Sequence, residues 1–532
     1  MTAPKRSGLI RANVGVATGT LASRVTGLLR LAVLGWALGQ TAFTDAYNAA
    51  NNAPNILYEL LLGGIFGATL VPIFTDLLEK EDEDGESAIV SVAVVVLAVA
   101  TALAVAAAPL VFRMMSFHPS DDVDPGAFRG VGTDLARYLL PQIFFYGCMA
   151  LGASMLQARR RFFAPAWTPV LNNLVVIVVM VIVRSVADGP VDHLGYTGYI
   201  VLLGLGTTAG IAAMVVGILP SMRRAGIRIR FRPEWRHPAV GRVLRLSGWA
   251  FGFVAANLVA LVVVQNLARP GSGNLTAYVM AYTFFQLPHG LLAVSITTTF
   301  VPELARAVTR RDRRSFNDRM SLGIRTIALF TLPASVGFIV LARPLVALAL
   351  ERGEFDASDT LATSRALTGF AVGLCAYSLY LFILRGFYAH RDGRTPFVLN
   401  LIENLVNVGL AIALVGRFDV FGLGLAYALA YLVAALLAFQ TLRYKVRGVD
   451  VRGIVASIFR LAVAAAVMGA FVWLASSQVG SDSGWGALAR SLVGIVMGVG
   501  VYAALLFALR VPEIEALRQR LGRATPDTPV SP

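Results

Sequence analysis

The sequence has few of the residues on which secreted, metal-binding or catalytic proteins depend. Its two cysteines, Cys148 and Cys375, lie far apart in hydrophobic stretches, so neither a disulfide framework nor a thiolate metal site is indicated. The five histidines are dispersed, without the spacing of metal ligands or of a base beside a nucleophile. No glycine-rich loop ends in Gly-Lys-Ser or Gly-Lys-Thr. We therefore expect no enzyme, no resident cofactor and no ATP-driven step on this chain.

Charge is also scarce. Only 14% of the 532 residues are Asp, Glu, Lys or Arg, whereas 57% are hydrophobic and the mean hydropathy is +0.69. So few polar groups cannot cover a water-facing surface, and the apolar surface must face lipid. Runs close to the length that crosses ~30 Å of hydrocarbon recur between short loops, which predicts an all-α integral membrane protein with about fourteen spans. The predicted spans are 11–37, 50–76, 87–112, 133–156, 164–184, 198–219, 245–267, 275–304, 322–348, 360–385, 394–415, 419–442, 456–476 and 487–509.

Basic residues are distributed unevenly between alternate loops. With the N-terminus inside, roughly five times more of them lie on the inner side than on the outer side, as in cytoplasmic loops generally. The basic loops are 159–161, 221–245, 310–325, 385–394 and 443–452. The acidic run 79–84 falls on the same side, but acidic residues carry little weight in orientation. We therefore predict a multi-pass membrane protein with both termini in the cytoplasm.

Two pairs of segments resemble each other at a nearly constant separation. Leu70–Pro72 is similar to Phe300–Pro302, and Trp167–Asn172 is similar to Arg394–Asn400, which puts the paired prolines 230 and 227 residues apart. Six spans separate the copies, so both copies run in the same direction, as in transporters built from parallel repeats about an axis along the membrane normal. Chance similarity between helices that begin with proline is the alternative. The predicted organisation is a six-helix lobe (1–219), a basic cytoplasmic loop (220–244), a second six-helix lobe (245–442), two additional helices (443–510) and a cytoplasmic tail (511–532).

The first predicted span carries two arginines, Arg24 and Arg30. A charged side chain at a helix centre costs ~2.5–3.5 kcal/mol, so it needs an aqueous cavity, a partner or a function. The two residues lie ~9 Å apart along a helix, on faces ~120° apart. Because guanidinium groups bind phosphate oxygens in pairs, both arginines are candidates for contact with a pyrophosphate or another anionic headgroup. The alternative for Arg24 is a buried ion pair with Glu59 or Asp45.

A second polar group of residues lies on the predicted span 394–415. Asn400, Glu403, Asn404 and Asn407 fall within about two turns of helix, and the three asparagines share one face. Oxygen-rich clusters of this kind can bind Na⁺ or accept a proton, which would supply a coupling ion. Hydrogen bonding between helices is the alternative.

Several motifs together resemble one family. They are Ser23–Arg30, Thr44–Tyr47, Pro54–Leu57, Phe66–Phe74, Gln286–Gly290, Arg352–Phe355, and Arg385–Ala389 followed by Asp392 and Thr395-Pro396. Over roughly residues 10–440 the chain resembles the MurJ (MviN) family of lipid II flippases, in the multidrug/oligosaccharidyl-lipid/polysaccharide exporter superfamily. The resemblance implies two lobes around a cationic cavity. It also implies transport of the undecaprenyl-pyrophosphate-linked peptidoglycan precursor across the bacterial cytoplasmic membrane by alternating access.

The resemblance also assigns residues to the substrate site. Arg24 and Arg30 match the family's cavity arginines, Asp45 matches the acid of its Thr-Asp-Ala motif, and Asn55 and Glu59 follow in the next motif. The chain departs from the family at Tyr58 and Glu59, where well-known members carry a basic pair, and at Thr283, where many carry another arginine.

These departures leave two alternatives open. The chain could export drugs or another lipid-linked polysaccharide precursor, or it could be a non-transporting scaffold of the cell-wall machinery. The expected partners are the lipid-linked substrate, membrane lipids and proteins of cell-wall synthesis or division, and no nucleic acid.

Overall fold

The computed structural model describes residues 6–59, 70–186 and 197–509. These residues contain helices and loops and no β-strand, which confirms the all-helical prediction. The helices are α1 (Arg6–Leu38), α2 (Ala42–Tyr58), α3 (Val71–Glu79), α4 (Glu83–Ala106), α5 (Ala108–Met115), α6 (Pro125–Leu139), α7 (Gln142–Ala158), α8 (Phe163–Val186), α9 (Thr197–Arg224), α10 (Pro238–Leu267), α11 (Asn274–Pro288), α12 (Val294–Thr309), α13 (Arg313–Leu350), α14 (Ala357–Ala371), α15 (Leu374–Ala389), α16 (Arg394–Lys445), α17 (Val451–Ser477) and α18 (Gly484–Ala508). A π-helical segment, His289–Ala293, joins α11 to α12.

Within the described ranges, ten helical segments are long and apolar enough to cross a membrane. An eleventh is added if α14 and α15, which meet at a 47° bend, cross as one. The chain is therefore a multi-pass membrane protein. The predicted span 50–76 includes residues outside the described ranges, and of the predicted span 245–267 the apolar stretch that is described in full is Val254–Leu267. The total of fourteen spans stays a prediction.

Helix α16 contains two of the predicted spans. Its 52 residues would extend ~78 Å as one straight helix, more than twice the hydrocarbon thickness. Asp419 leaves the helical conformation, with φ 48° and ψ −135°. Just beyond it, a β-carbon added at Gly422 would lie 2.7 Å from the Leu414 carbonyl oxygen, although residues eight apart in a continuous helix are ~12 Å apart. The chain therefore turns sharply at the junction predicted between spans 394–415 and 419–442.

Several helices begin earlier than the hydropathy pattern predicted. The side chains of Asp82, Asp124 and Asp450 accept hydrogen bonds from backbone N–H groups three residues ahead, at 2.7, 2.6 and 2.9 Å. Such capping satisfies donors that have no partner within the helix. The polar first turns of α4, α6 and α17 are therefore helical, whereas the predicted spans began only where the apolar residues start.

The chain divides into two compact units. The first contains Met1–Met280 and Leu350–Asp359, and the second contains Ala281–Ala349 and Thr360–Pro532. The predicted boundary at 220–244 differs from this division because α10 packs on α4 and α5. The Asn266 side chain fixes the end of α10, accepting a hydrogen bond from the Phe117 amide at 2.5 Å and donating one to the Met114 carbonyl at 2.9 Å. The predicted lobe boundaries themselves stay predictions.

Candidate functional site

In the first unit, helix α1 is held against α8 beside one of the candidate arginines. The Asn173 amide donates hydrogen bonds to the Ser23 carbonyl at 3.1 Å and to the Thr26 hydroxyl at 2.9 Å. Arg24 lies between these two contacts in sequence, and its side chain is exposed. Polar side chains in membrane helices commonly tie neighbouring helices together in this way. The bond to α8 therefore fixes the backbone that carries Arg24.

The ion pair that was the alternative role for Arg24 is not formed among the described residues. Asp45 is fully buried and uses its carboxylate elsewhere, and no described salt bridge joins Arg24 to Glu59. Arg24 shares its exposed side of α1 with Leu21 and Val25. In this conformation Arg24 therefore forms no ion pair with Glu59 or Asp45.

Arg30 has a different environment from Arg24. It is half-buried, and the Tyr47 and Tyr146 hydroxyl groups lie within its electrostatic reach. The Tyr47 and Thr207 hydroxyls share a hydrogen bond of 3.0 Å, and Tyr146 is hydrogen-bonded to Asn55. Two neutral hydroxyl groups are therefore within electrostatic reach of Arg30. A guanidinium group presents paired N–H donors that match the oxygen atoms of a phosphate group.

The polar surroundings of Arg30 continue along α2 and α7. The Gln142 amide donates to the Asn51 side-chain oxygen at 3.3 Å, and the rings of Tyr58 and Tyr146 lie 5.5 Å apart. The Gln142 side-chain oxygen is buried and has no hydrogen-bond partner within the described ranges. Buried polar atoms are usually satisfied, so this oxygen marks a place for water or a polar ligand. Glu59, which follows Tyr58, is exposed.

Asp45 is the most completely bonded of the candidate residues. One carboxylate oxygen accepts hydrogen bonds from the backbone amides of Gly271 and Gly273, both at 2.9 Å. The other accepts from the Thr276 amide at 2.8 Å and the Thr276 hydroxyl at 2.6 Å. Gly271 and Gly273 have φ of +105° and +83°, a backbone region that glycine adopts without strain. Asp45 thus caps the start of α11, and its contact with substrate stays a prediction.

In the second unit, the polar residues of α16 are all buried. Asn400, Asn404 and Asn407 are buried, and Glu403 is only 2% exposed. The Asn404 amide donates to the Asn400 carbonyl at 2.9 Å and to its side-chain oxygen at 3.3 Å. The Asn407 side-chain oxygen has no hydrogen-bond partner in the part of the chain that is described. Glu403 and Asn407 therefore leave oxygen atoms that fit a cation or a proton.

The second unit also contains a group of tyrosines that the sequence motifs did not predict, namely Tyr282, Tyr377, Tyr427 and Tyr431. The rings of Tyr377 and Tyr427 each lie within 4.8 Å of the ring of Tyr431, measured between centroids. The Gln286 amide donates to the hydroxyls of Tyr282 at 2.7 Å and Tyr377 at 3.1 Å. Tyr431 is within electrostatic reach of Glu403. Only the spacing of Tyr427 and Tyr431, four residues apart on one helix, could have indicated this group from sequence.

The candidate residues thus form two separate sets. Arg24, Arg30, Asp45, Asn55 and Glu59 belong to the first unit. Asn400, Glu403, Asn404 and Asn407 belong to the second unit, as does the half-buried Thr283. In the first set, Arg24, Arg30 and Asn55 offer donors that suit a phosphate-bearing ligand. The second set offers oxygen atoms, and the tyrosines of the same unit offer aromatic faces, both of which suit a cation. Among the described residues, no group of three or more His, Cys, Asp or Glu side chains could hold a metal ion.

Comparison with known sequences identifies one family. Residues 35–494 match the family model described as lipid II flippase MurJ. The chain is 28% identical to a probable lipid II flippase MurJ of Rhizobium meliloti (strain 1021) over 524 residues, which are 97% of this chain and 96% of that protein. It is 29% identical to the lipid II flippase MurJ of Burkholderia cenocepacia over 448 residues, 82% of this chain and 84% of that protein.

Solved structures share the fold. A lipid II flippase MurJ in an inward closed conformation matches with a TM-score of 0.76 and 23% identity, over 93% of this chain and 99% of that one. An inward-facing multidrug resistance transporter of the MATE family, in the MOP superfamily, matches with a TM-score of 0.62 and 16% identity. That match covers 79% of this chain and 94% of the transporter.

Proposed function

The chain belongs to the MurJ family of lipid II flippases, and we propose that it carries lipid II from the cytoplasmic to the outer leaflet of the bacterial cytoplasmic membrane by alternating access. Proteins of this family are transporters and not enzymes. The observation that carries the proposal is the match of the family model to residues 35–494 of the 532-residue chain. Lipid II is an undecaprenyl-pyrophosphate-linked precursor of peptidoglycan, so its carrier must accommodate a strongly anionic headgroup.

We assign the headgroup to the surroundings of Arg30. Its guanidinium group is within electrostatic reach of the Tyr47 and Tyr146 hydroxyls, and these groups together offer donors of the kind that pyrophosphate oxygens require. Arg24, exposed on the same helix, supplies a second positive charge. The loss of the basic pair at Tyr58 and Glu59 leaves these two arginines with a larger share of the binding energy.

Transport by the purified protein in proteoliposomes tests the assignment. We expect labelled lipid II added to one leaflet to become accessible on the other, and we expect Arg30→Ala to lose most of this transport while its abundance stays near that of the unaltered protein. Arg137→Ala is the matched control, since Arg137 is an exposed residue of the same unit paired with Asp134 on its own helix. Normal transport by Arg24→Ala and Arg30→Ala together would refute the assignment and favour a scaffold.

The drug-exporter alternative rests on the similarity of the fold to a MATE family transporter. It predicts movement of cationic dyes and no dependence on Arg30. A variant that loses lipid II transport but keeps dye transport would leave this alternative open, whereas absence of dye transport in the active protein would exclude it. Another undecaprenyl-pyrophosphate-linked glycan, tested in the same vesicles, distinguishes lipid II from a related cargo.

We further propose the two-lobe repeat, which matching turns support. After α3 and α12, Glu81 and Arg311 have positive φ values of 55° and 56° and lie 230 residues apart, as do Pro72 and Pro302. The next residues, Asp82 and Asp312, both cap the following helix. After α7 and α15, residues 160 and 391 have φ values of 57° and 59°. Superposition of residues 11–219 on 245–442 in an experimental structure should place Pro72 on Pro302, and a different pairing would refute the repeat.

We propose fourteen spans with both termini in the cytoplasm, since the basic loops alternate with loops that carry few basic residues. Reporters fused within 221–245 and at the C-terminus should both respond as cytoplasmic, and one within 185–197 as external. An external response within 221–245 would overturn the orientation.

We also propose that Na⁺ or H⁺ bound at Glu403 drives the cycle. Glu403 and Asn407 are buried and offer oxygen atoms, and a cation bound in only one state of a transporter shifts the balance between its states.

We propose that proteins of cell-wall synthesis or division associate with the chain outside the membrane, because they use the translocated precursor. Co-purification of such proteins after crosslinking tests this association.

A further inference from the structure

The connection between α9 and α10 is an unusually basic strip on the surface of the first unit. The basic strip, defined as residues 223–236, contains six arginines and one acidic residue, Glu234, a formal net charge of +5. All six arginines are exposed: Arg223, Arg224, Arg228, Arg230, Arg232 and Arg236. Arg232 lies 3.7 Å from Asp84, but both side chains are more than half exposed, so water screens this pair. The strip therefore presents several positive charges to its surroundings.

The backbone of the basic strip is fixed to the beginning of α4. The Ser91 hydroxyl donates to the Arg230 carbonyl at 3.3 Å, the Arg230 amide donates to the Ser87 hydroxyl at 3.3 Å, and the Arg232 amide donates to the Ser91 hydroxyl at 2.8 Å. None of these bonds uses an arginine side chain. The strip thus keeps its course along α4 independently of its charged groups.

The hydrogen bonds to α4 place the strip at the level of the lipid headgroups. Ser91 lies eight residues beyond the first residue of α4, or ~12 Å along the axis, and α4 is almost entirely apolar from Ala88 onward. Side chains farther along α4, at Val99 and Leu103, are exposed as expected of a lipid-facing helix. A segment that crosses α4 where its apolar part begins must lie near the boundary between hydrocarbon and water.

The basic strip also exposes large apolar side chains. Phe231 is 65% exposed and Trp235 is 56% exposed, and Ile229 is exposed as well. In water this exposure is unfavourable, whereas aromatic rings are favoured at the membrane interface, where one end is apolar and the other is hydrated. Arginines beside interfacial aromatic residues match the charge of anionic lipid headgroups.

We propose that the basic strip binds anionic phospholipid headgroups, with its arginines on the phosphate groups and with Phe231 and Trp235 inserted between lipids. In the cell this site would face the cytoplasmic leaflet, a point that rests on the proposed orientation, whereas binding itself does not. The depth of the strip and its aromatic residues favour lipid over nucleic acid or an acidic protein, which would need charges that project into water.

Quenching of Trp235 by brominated lipids measures this interaction. The full chain is reconstituted in phosphatidylcholine nanodiscs with increasing brominated phosphatidylglycerol, and the signal of a Trp235→Phe protein is subtracted to isolate Trp235. We expect stronger quenching by brominated phosphatidylglycerol than by brominated phosphatidylcholine, and weakening of that preference by salt. Substitution of Arg228, Arg230 and Arg232 by Gln should reduce the apparent affinity for phosphatidylglycerol by at least about tenfold.

The matched control removes the same charge elsewhere on the predicted cytoplasmic side. Arg310, Arg313 and Arg314 are exposed and have no interleaved aromatic residues, so their replacement by Gln should change the quenching little. An equal loss of affinity for phosphatidylglycerol in the two triple variants would overturn the proposal. Equal quenching of Trp235 by brominated phosphatidylglycerol and brominated phosphatidylcholine would also overturn it. So would displacement of the lipid by inorganic phosphate, which would indicate a site for free phosphate. Because lipid II transport is measured separately, failure of lipid binding here is distinguishable from failure of the proposed flippase function.

Discussion

Asp45 offers the sharpest test of how the first unit holds its shape. Its carboxylate is fully buried and accepts four hydrogen bonds, from the amides of Gly271, Gly273 and Thr276 and from the Thr276 hydroxyl. Asp45→Ala would leave all four donors buried without an acceptor. Asp45→Asn keeps the shape and one oxygen atom, but turns an amide group toward at least one of the donors.

Two opposing effects determine how much folding stability the Asp45 variants lose. Hydrogen bonds to a charged group contribute about 1.5–3 kcal/mol each, while removal of a buried charge returns part of its desolvation cost. We therefore expect Asp45→Ala to destabilise the folded protein by about 3 kcal/mol and Asp45→Asn by about 1–2 kcal/mol. Thr276→Val, which removes the hydroxyl that donates to Asp45 and accepts from the Asn48 amide at 2.9 Å, should cost about 1–2 kcal/mol. For a unit of this size, about 3 kcal/mol corresponds to a fall in apparent Tm of about 5 °C.

A thiol-reactive dye can measure this change in detergent. Cys148 is half-buried in the first unit, so in a Cys375→Ser background its reaction reports unfolding of that unit. Asp121→Asn is the control, because Asp121 is 86% exposed and its pair with Arg269 should contribute less than about 1 kcal/mol. If Asp45→Ala lowers the apparent Tm no more than Asp121→Asn does, the capping role assigned to Asp45 is wrong.

Three further variants test the two polar sets and a loop. Arg30→Lys should transport lipid II at a rate between those of the unaltered protein and Arg30→Ala, since lysine keeps the charge but not the paired donors; a rate equal to that of Arg30→Ala would count against a charge contribution. Glu403→Gln should weaken the dependence of transport on Na⁺ or pH while leaving lipid II binding intact, and unchanged ion dependence would remove the α16 set from the mechanism. Burial raises the pKa of Asp392, but hydrogen bonds from Lys445 and Thr395 lower that pKa by more, so that it falls from an ordinary 3.8 to about 2. Since the folded-state pKa is depressed, this stabilisation is complete above pH about 4 and is lost as the pH falls toward 2. Lys445→Gln should cost about 0.5–1 kcal/mol near neutral pH, and its difference in apparent Tm from the unaltered protein should shrink only below pH about 4; a difference that varied between pH 8 and 5 would contradict this reasoning.

Features that depend on local periodicity could be predicted from the sequence. The spacing of Asn400, Glu403, Asn404 and Asn407 predicted that they lie within two turns of one helix, and in the structure all four are buried on α16. The junction near residue 419 was predicted for a similar reason, because two apolar stretches together exceed what one crossing can use. The earlier helix starts at Glu83 and Val451 were missed because a capped, polar first turn has the composition of a loop.

Features that depend on distant partners could not be predicted. Asp45 was expected to pair with Arg24 or to contact substrate, but its partners at Gly271, Gly273 and Thr276 lie more than 220 residues away in sequence. Arg30 and Arg24 looked alike in the sequence. Only tertiary packing gives Arg30 its tyrosine neighbours and leaves Arg24 exposed.

The two units carry complementary chemistry, and this separation bears on coupling. In the first unit, Arg30 lies among neutral donors and so favours an anionic group. In the second unit, Glu403 is buried within electrostatic reach of Tyr431 and so favours a cation or a proton. A ligand changes the balance between two states only through a difference in its interactions with them. Because the proposed anion site and the proposed cation site use different residues, each ligand would bias the cycle without displacing the other. If the substrate and the coupling ion bound to one charged group, a single substitution would change the binding of both. Because Arg30 and Glu403 are different residues in different units, substitution of one should change the effect of only one ligand on the transport cycle.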